Sequence, residues 1–275
     1  KEILDASIKQ YPLDENLRLQ RAIIALSENN PTEVLSLLPK KPKDPEAIGV
    51  LAEALDVMGR KSDALALIED IDESNLPDHV KEELLAVRIR AYIAQGKKQL
   101  AINTIKQRIA MEPNNLNLKA LQINTYRNAV DDGSANNAFE EALALVNDQT
   151  SLPLRLLLSL EARKLCRDEA IVNLLKDRVA PDRESDGLQI LIASSINSGR
   201  WVTARETLCA VSVNLRGRDW FLRADAILAL NTGDVATADQ KIVLYLNAFP
   251  TDTQMILARI GIWQRSCRDN DIRSL

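Results

Sequence analysis

Helix-breaking residues recur along this chain at a nearly constant spacing, each followed five residues later by alanine. Gly59, Gly96, Gly199 and Gly233 each stand between two stretches of apolar residues at helical period, and Gly133 falls in the same kind of place. Five residues further on are Ala64, Ala101, Ala204 and Ala238, and after Gly133 comes Ala138. A sixth unit has Ala170 in this place, with Leu165 as its turn residue. The turn positions 59, 96, 133, 165, 199 and 233 lie 37, 37, 32, 34 and 34 residues apart, and a further 34 leads to Cys267. Self-similarity at this period predicts stacked supersecondary units, each burying its apolar face against its neighbours.

The pattern has a direct physical reading. The residue at the turn must cap a first helix, A, in a conformation that glycine adopts at little steric cost. The alanine lies one turn into a second helix, B, where the two backbones approach closely and a larger side chain would push them apart. A proline ends helix B because it cannot continue the hydrogen-bond ladder. Pro113 and Pro250 stand 17 residues after Gly96 and Gly233, and Pro77 and Pro181 lie one residue to either side of the equivalent position.

Composition supports helices throughout. The chain has 275 residues, is 46% hydrophobic and 27% charged, and contains only 9 glycines and 4% aromatic residues. Leu, Ala, Ile and the charged residues that dominate it favour helix over strand. The expected fold class is therefore all-α.

Glycine in the turn, alanine early in helix B and proline at its end, in a unit of about 34 residues, are the residues through which this sequence resembles the tetratricopeptide repeat (TPR) family, with degenerate repeats. The clearest unit runs from Pro45 to Ile71, where Ile48, Leu51, Ala52 and Leu55 match the family's helix A pattern. The resemblance implies a right-handed α-α superhelical solenoid of about seven helix-turn-helix repeats over residues 1–275. The expected repeats are 13–44, 45–81, 82–115, 116–150, 151–184, 185–218 and 219–252. Residues 1–12 read as the remnant of a preceding helix B, and 253–275 as an incomplete last repeat. Extra loop residues are expected at 73–79, between repeats, and at 131–134, inside one. Both ends read as cut, which suggests a segment of a larger protein.

Catalytic chemistry has little to be built from. The single histidine, His79, sits in a loop beside Asp78, and no Ser-His-Asp, Cys-His, HExxH or phosphate-loop pattern is present. Asp131–Asp132–Gly133–Ser134 lacks the alternating oxygen ligands of a calcium loop. Cys166, Cys209 and Cys267 are too far apart for metal-ligand spacing. We therefore expect no enzyme, no metal and no cofactor. A net charge of −4 gives no basic field for nucleic acid. No apolar run approaches the ~18 residues of a membrane span, so no membrane insertion is expected. Cysteine usage points to the cytoplasm, with the periplasm the alternative if a leader has been removed.

The resemblance further implies that helix A residues line a concave groove for a peptide or protein segment. In this register the groove residues are Glu46, Glu53, Asp56, Glu83 and Arg90, followed by Asn117, Asn124 and Arg127. Arg155 and Ser159 come next, then Gln189 and Asn197, then Trp220 and Arg223. Arg90, Asn124, Arg127, Arg155, Arg223 and Trp220 are the expected partner-binding residues, since arginine grips carboxylates with two parallel bonds and tryptophan makes a large anchor. Gly49 and Glu53 stand where the chaperone-tail-binding subclass needs lysine and asparagine, which disfavours that role. The expected function is a protein-interaction scaffold. The alternatives are a regulatory segment controlling an effector domain of the same polypeptide, or a self-association module.

Overall fold

A computed structural model describes residues 2–69, 71, 73–74 and 76–265. Among them are sixteen α-helices, one 3-10 turn and no strand. The chain packs as two units, Lys1–Leu145 and Val146–Leu275.

The first unit comprises α1 (Glu2–Gln10), α2 (Glu15–Ser27), α3 (Pro31–Leu37), α4 (Pro45–Val57), α5 (Lys61–Ile68), α6 (Asp78–Ala94), α7 (Lys98–Met111), α8 (Leu116–Asn128) and α9 (Asp132–Leu145). The second comprises α10 (Leu152–Lys164), α11 (Asp168–Leu175), α12 (Asp186–Asn197), α13 (Trp201–Ala210), a 3-10 turn at Val213–Leu215, α14 (Asp219–Asn231), α15 (Val235–Ala248) and α16 (Thr253–Arg265). Even-numbered helices are the A helices of successive pairs and odd-numbered ones the B helices. Many starts are written in the sequence. Asp14, Asn30, Asp44, Asn115, Ser185 and Asp234 each accept a backbone N–H from the first turn they precede. Pro31 and Pro45 occupy a first-turn position that needs no amide hydrogen.

Every turn from A to B passes through one left-handed residue. These are Asn29, Gly59, Gly96, Val130, Cys166, Gly199 and Gly233, with φ between 56° and 80°. In six of the seven the following residue donates its N–H back to the carbonyl five positions earlier, as in Arg60 to Leu55 at 2.8 Å and Asp131 to Tyr126 at 2.9 Å. That bond is the Schellman closure, which satisfies an otherwise orphaned carbonyl. Five residues beyond each left-handed residue stand Val34, Ala64, Ala101, Ala135, Ile171, Ala204 and Ala238, all 0% exposed. Seven residues before it stand Ala22, Ala52, Ile89, Ile123, Ser159, Ile192 and Ala226, none more than 1% exposed. These two positions are the contact points of each helical hairpin.

Two expected turns shift. Gly133 lies inside α9, and the left-handed residue of that pair is Val130, three residues earlier. The buried residue in register is then Ala135, with Ala138 about a turn further along, and 131–134 is no inserted loop. In the next pair the turn residue is Cys166 instead of Leu165, and fully buried Ile171 takes the place expected of half-buried Ala170. The physical reason is shared. Packing of the hairpin decides which residue is forced to positive φ, and a non-glycine residue accepts the strain when no glycine falls there. The position expected at Cys267 lies outside the described residues.

Within the first unit α2, α4, α6 and α8 touch one another in series, and within the second α12 touches α14. Within the first unit α3, α5 and α7, and within the second α11, α13 and α15, each pack between their own A helix and the next. Contact running from A helix to A helix makes these helices the inner layer of the stack.

Candidate functional site

Counting back from each left-handed turn residue places every A helix on one scale. The residue six positions before the turn is half-buried or exposed, and its type changes along the chain. It is Ile23 in α2, then Glu53, Arg90 and Asn124 in α4, α6 and α8, and Leu160, Ala193 and Ile227 in α10, α12 and α14.

In the first unit two of the expected groove residues, Arg90 and Asp56, pair with each other. Arg90 donates through Nε to the carboxylate of Asp56, which is only 8% exposed and has Lys61 Nζ at 3.7 Å. Glu83 leans over Gly49, where a Cβ would lie 3.2 Å from its Oε2. Partial burial, then the nearby carboxylates of Glu53 and Glu46, hold the Glu83 carboxyl above its ordinary range, with His79 opposing them. Asn124 accepts from Asn128 Nδ2 at 2.7 Å. Arg127 is half-buried, and its shielded Nε has no hydrogen-bond partner among the described residues. Asn117 sits in the first turn of α8, its backbone N–H 3.0 Å from the capping Asn115.

Arg155 and Ser159 do not line a groove. Arg155 is 5% exposed and gives its guanidinium to the carbonyls of Thr150 (3.0 Å), Leu174 (3.2 Å) and Asn147, tying α10 to the segment before it and to the end of α11. Ser159 is 0% exposed and donates to the carbonyl of Arg155 at 2.8 Å. The cause is the turn at Cys166. Moving it one residue from Leu165 rotates both side chains onto the buried face of α10.

The second unit holds a cleft of about 620 Å³ between α10, α12 and α14. Four expected residues, Gln189, Asn197, Trp220 and Arg223, come together on its walls. Its apolar lining includes Leu160, Ile190, Ala193, Ile196, Ala224 and Ile227. Leu160 is 44% exposed, and Ala193 is also exposed, so the floor is open. The indole N–H of Trp220 donates to Glu184 at 2.9 Å, and the ring meets Phe221 edge to face at 5.9 Å. Arg223 donates to Gln254 and, at 3.2 Å, to Asp252. Asp252 also accepts from the Tyr245 hydroxyl at 3.0 Å and from the backbone of Gln254 and Met255 at the start of α16. Partial burial would raise the Asp252 carboxyl, but the bonds from Met255, Tyr245 and Arg223 outweigh it and hold it below the usual carboxylate range.

Three charged residues of this cleft, Arg163, Asp186 and Asp219, were not expected from the sequence. Arg163 is exposed and makes no ion pair among the described residues. It stands three residues before Cys166, as Arg127 stands three before Val130. The same count from the true turn would have found it. Of the other tryptophans, Trp201 packs against the core of the second unit and Trp263 is 3% exposed beneath the guanidinium of Arg259.

No protein-family model matches the chain, and no curated protein matches it. Solved structures do. The C-terminal part of a TPR repeat-containing protein from Cytophaga hutchinsonii is 15% identical, with a TM-score of 0.50 over 87% of this chain and 98% of that one. A tetratricopeptide repeat protein from Parabacteroides merdae is 12% identical over 90% of this chain and 98% of its own, with a TM-score of 0.42. The APC/C hetero-tetramer Cut9-Hcn1 gives 13% identity and a TM-score of 0.46; the match covers 95% of this chain, which spans about half of the matched chain. At these identities the likeness concerns the fold, and the fold is TPR-like.

Proposed function

We propose that this TPR-like chain is a non-enzymatic protein-interaction scaffold that holds a segment of a partner protein in the cleft of its second unit. One observation carries the reading. The inner-face position that is polar in α4, α6 and α8 is apolar in α10, α12 and α14, and two of these three residues, Leu160 and Ala193, are exposed. Leu160 at 44% exposure is held against water, and each Å² of such surface covered by a partner is worth about 25 cal/mol. Ala193 between Leu160 and Ile227 forms a notch for an inserted side chain, and Trp220 offers a rigid anchor at the rim. Arginines, amides and carboxylates around an apolar floor suit recognition.

The test is selection of binders from a displayed library of random twelve-residue peptides, on the parent protein and on Ala193→Arg. The substituted site is exposed, so the variant should keep its helical circular dichroism and thermal midpoint. Peptides enriched on the parent and weakened at least tenfold by Ala193→Arg are the expected result. Equal enrichment on both proteins would place the binding surface elsewhere.

A further inference from the structure

Opposite charges mark the two ends of this cleft. Asp186 and Asp219 lie in the first turns of α12 and α14, and Arg163 lies in the last turn of α10. In a stack of helical hairpins the A helices run in the same direction, so the two carboxylates stand at one end and the guanidinium at the other. Ten residues of helix at 1.5 Å each separate these levels by about 15 Å. All three side chains are exposed and none is in an ion pair among the described residues. Around these groups Arg223 pairs with Asp252 and Arg218 with Glu184, while at the Arg163 end Asp168 accepts from Asn197 Nδ2 at 3.5 Å. Acid at helix starts and base at a helix end also suit the helix dipole, so the fold carries these groups without strain.

We infer that the cleft selects the direction of the segment it holds, taking one that is acidic at the end toward Arg163, basic at the end toward Asp186 and Asp219, and apolar between. This rests on the cleft being the binding surface and adds the chemistry of its occupant. An extended chain covers about 15 Å in five residues, and a helix in ten. Arg163 offers two parallel N–H groups to a carboxylate at one end, and the two carboxylates attract a Lys or Arg at the other. A segment bound in the opposite direction sets like charges against each other at both ends, which is how an interface rejects a wrong register.

The peptides selected above supply the probe. One Ala193-dependent peptide is synthesised with a fluorophore, together with a twin in which its terminal acidic and basic residues are exchanged. Affinities are read by anisotropy on the parent, on Arg163→Glu, on Asp186→Asn/Asp219→Asn, and on Arg163→Glu/Asp186→Lys/Asp219→Lys. The parent is expected to prefer the selected peptide about tenfold or more over its twin. The double Asn variant, which keeps a helix-starting residue at both places, should lose part of that preference, and the triple variant should reverse it. Equal binding of both twins to the parent, or an unchanged preference in folded variants, overturns the directional inference while leaving the cleft as the binding surface. Absence of any Ala193-dependent peptide overturns both.

Discussion

Val130 shows what a single residue can be made to do. Its φ is 62°, its side chain is 76% exposed, and it is β-branched, so nothing about the side chain favours the left-handed region. The hairpin of α8 and α9 nevertheless requires a left-handed residue there, because the Asp131 amide must reach the Tyr126 carbonyl. Holding an L-residue in that region costs roughly 1–2 kcal/mol. Val130→Gly should therefore stabilise the protein by about 1 kcal/mol, after the greater freedom of glycine in the unfolded chain is subtracted. The measurement is the urea midpoint, with amide exchange of α8 and α9 to localise the gain. A loss of stability would mean that the backbone is not left-handed at this residue. Gly133, three residues on, does not need its freedom in this way, since it is an ordinary helical residue of α9.

Among the elements, the last A helices of the second unit are tied together by a polar knot. Asp252 caps α16, accepts from Tyr245 on α15 and pairs with Arg223 on α14. Its carboxyl is held below the usual range, so the ionised form is the one the fold prefers. A depressed carboxylate contributes stability that is present above its unfolded value of about 3.9 and lost as pH falls through the folded value. Asp252→Asn keeps a capping side chain but removes the charge opposite Arg223. The protection factors of the α16 amides should then be lower at pH 6, and their further fall between pH 5 and pH 3 should shrink. Protection that remains as acid-sensitive as in the parent would show that another carboxylate controls the docking of α16. Because Arg223 also lines the cleft, the same substitution should leave peptide binding close to parental if Arg223 serves chiefly to hold α16. The slip at α10 is another matter of elements. One residue of difference in the turn moves Arg155 from an expected surface into the interior, where three carbonyls hold it.

Over the whole molecule a net charge of −4 gives little field, and what matters is where charges face. The inner face of the first unit carries Glu46, Glu53 and Glu83, while that of the second has an apolar floor with charged ends. Exposed ion pairs contribute about 0.2–1 kcal/mol each and are screened over about 10 Å at 0.1 M salt. Raising sodium chloride from 50 to 500 mM should therefore weaken binding of a selected peptide about fivefold, since the apolar floor persists. A Kd unchanged by salt would assign recognition to the apolar floor alone.

By itself the sequence determined the all-α class, the period near 34 residues and most hairpin contacts, because alanine early in helix B and a glycine turn are local necessities of two helices packed closely. The TPR resemblance put Gln189, Asn197, Trp220 and Arg223 in one inner register, and the fold brings all four to the walls of one cleft. What the tertiary structure decided was the phase at Val130 and Cys166. A turn residue is set by how two helices pack, and a strained side chain there leaves no mark in composition. That phase alone separates Arg155, buried and spent on carbonyls, from Arg163, exposed in the cleft. Which arginine can meet a partner therefore depends on a rotation of about 100° per residue about the axis of α10, a quantity fixed only when the hairpin closes.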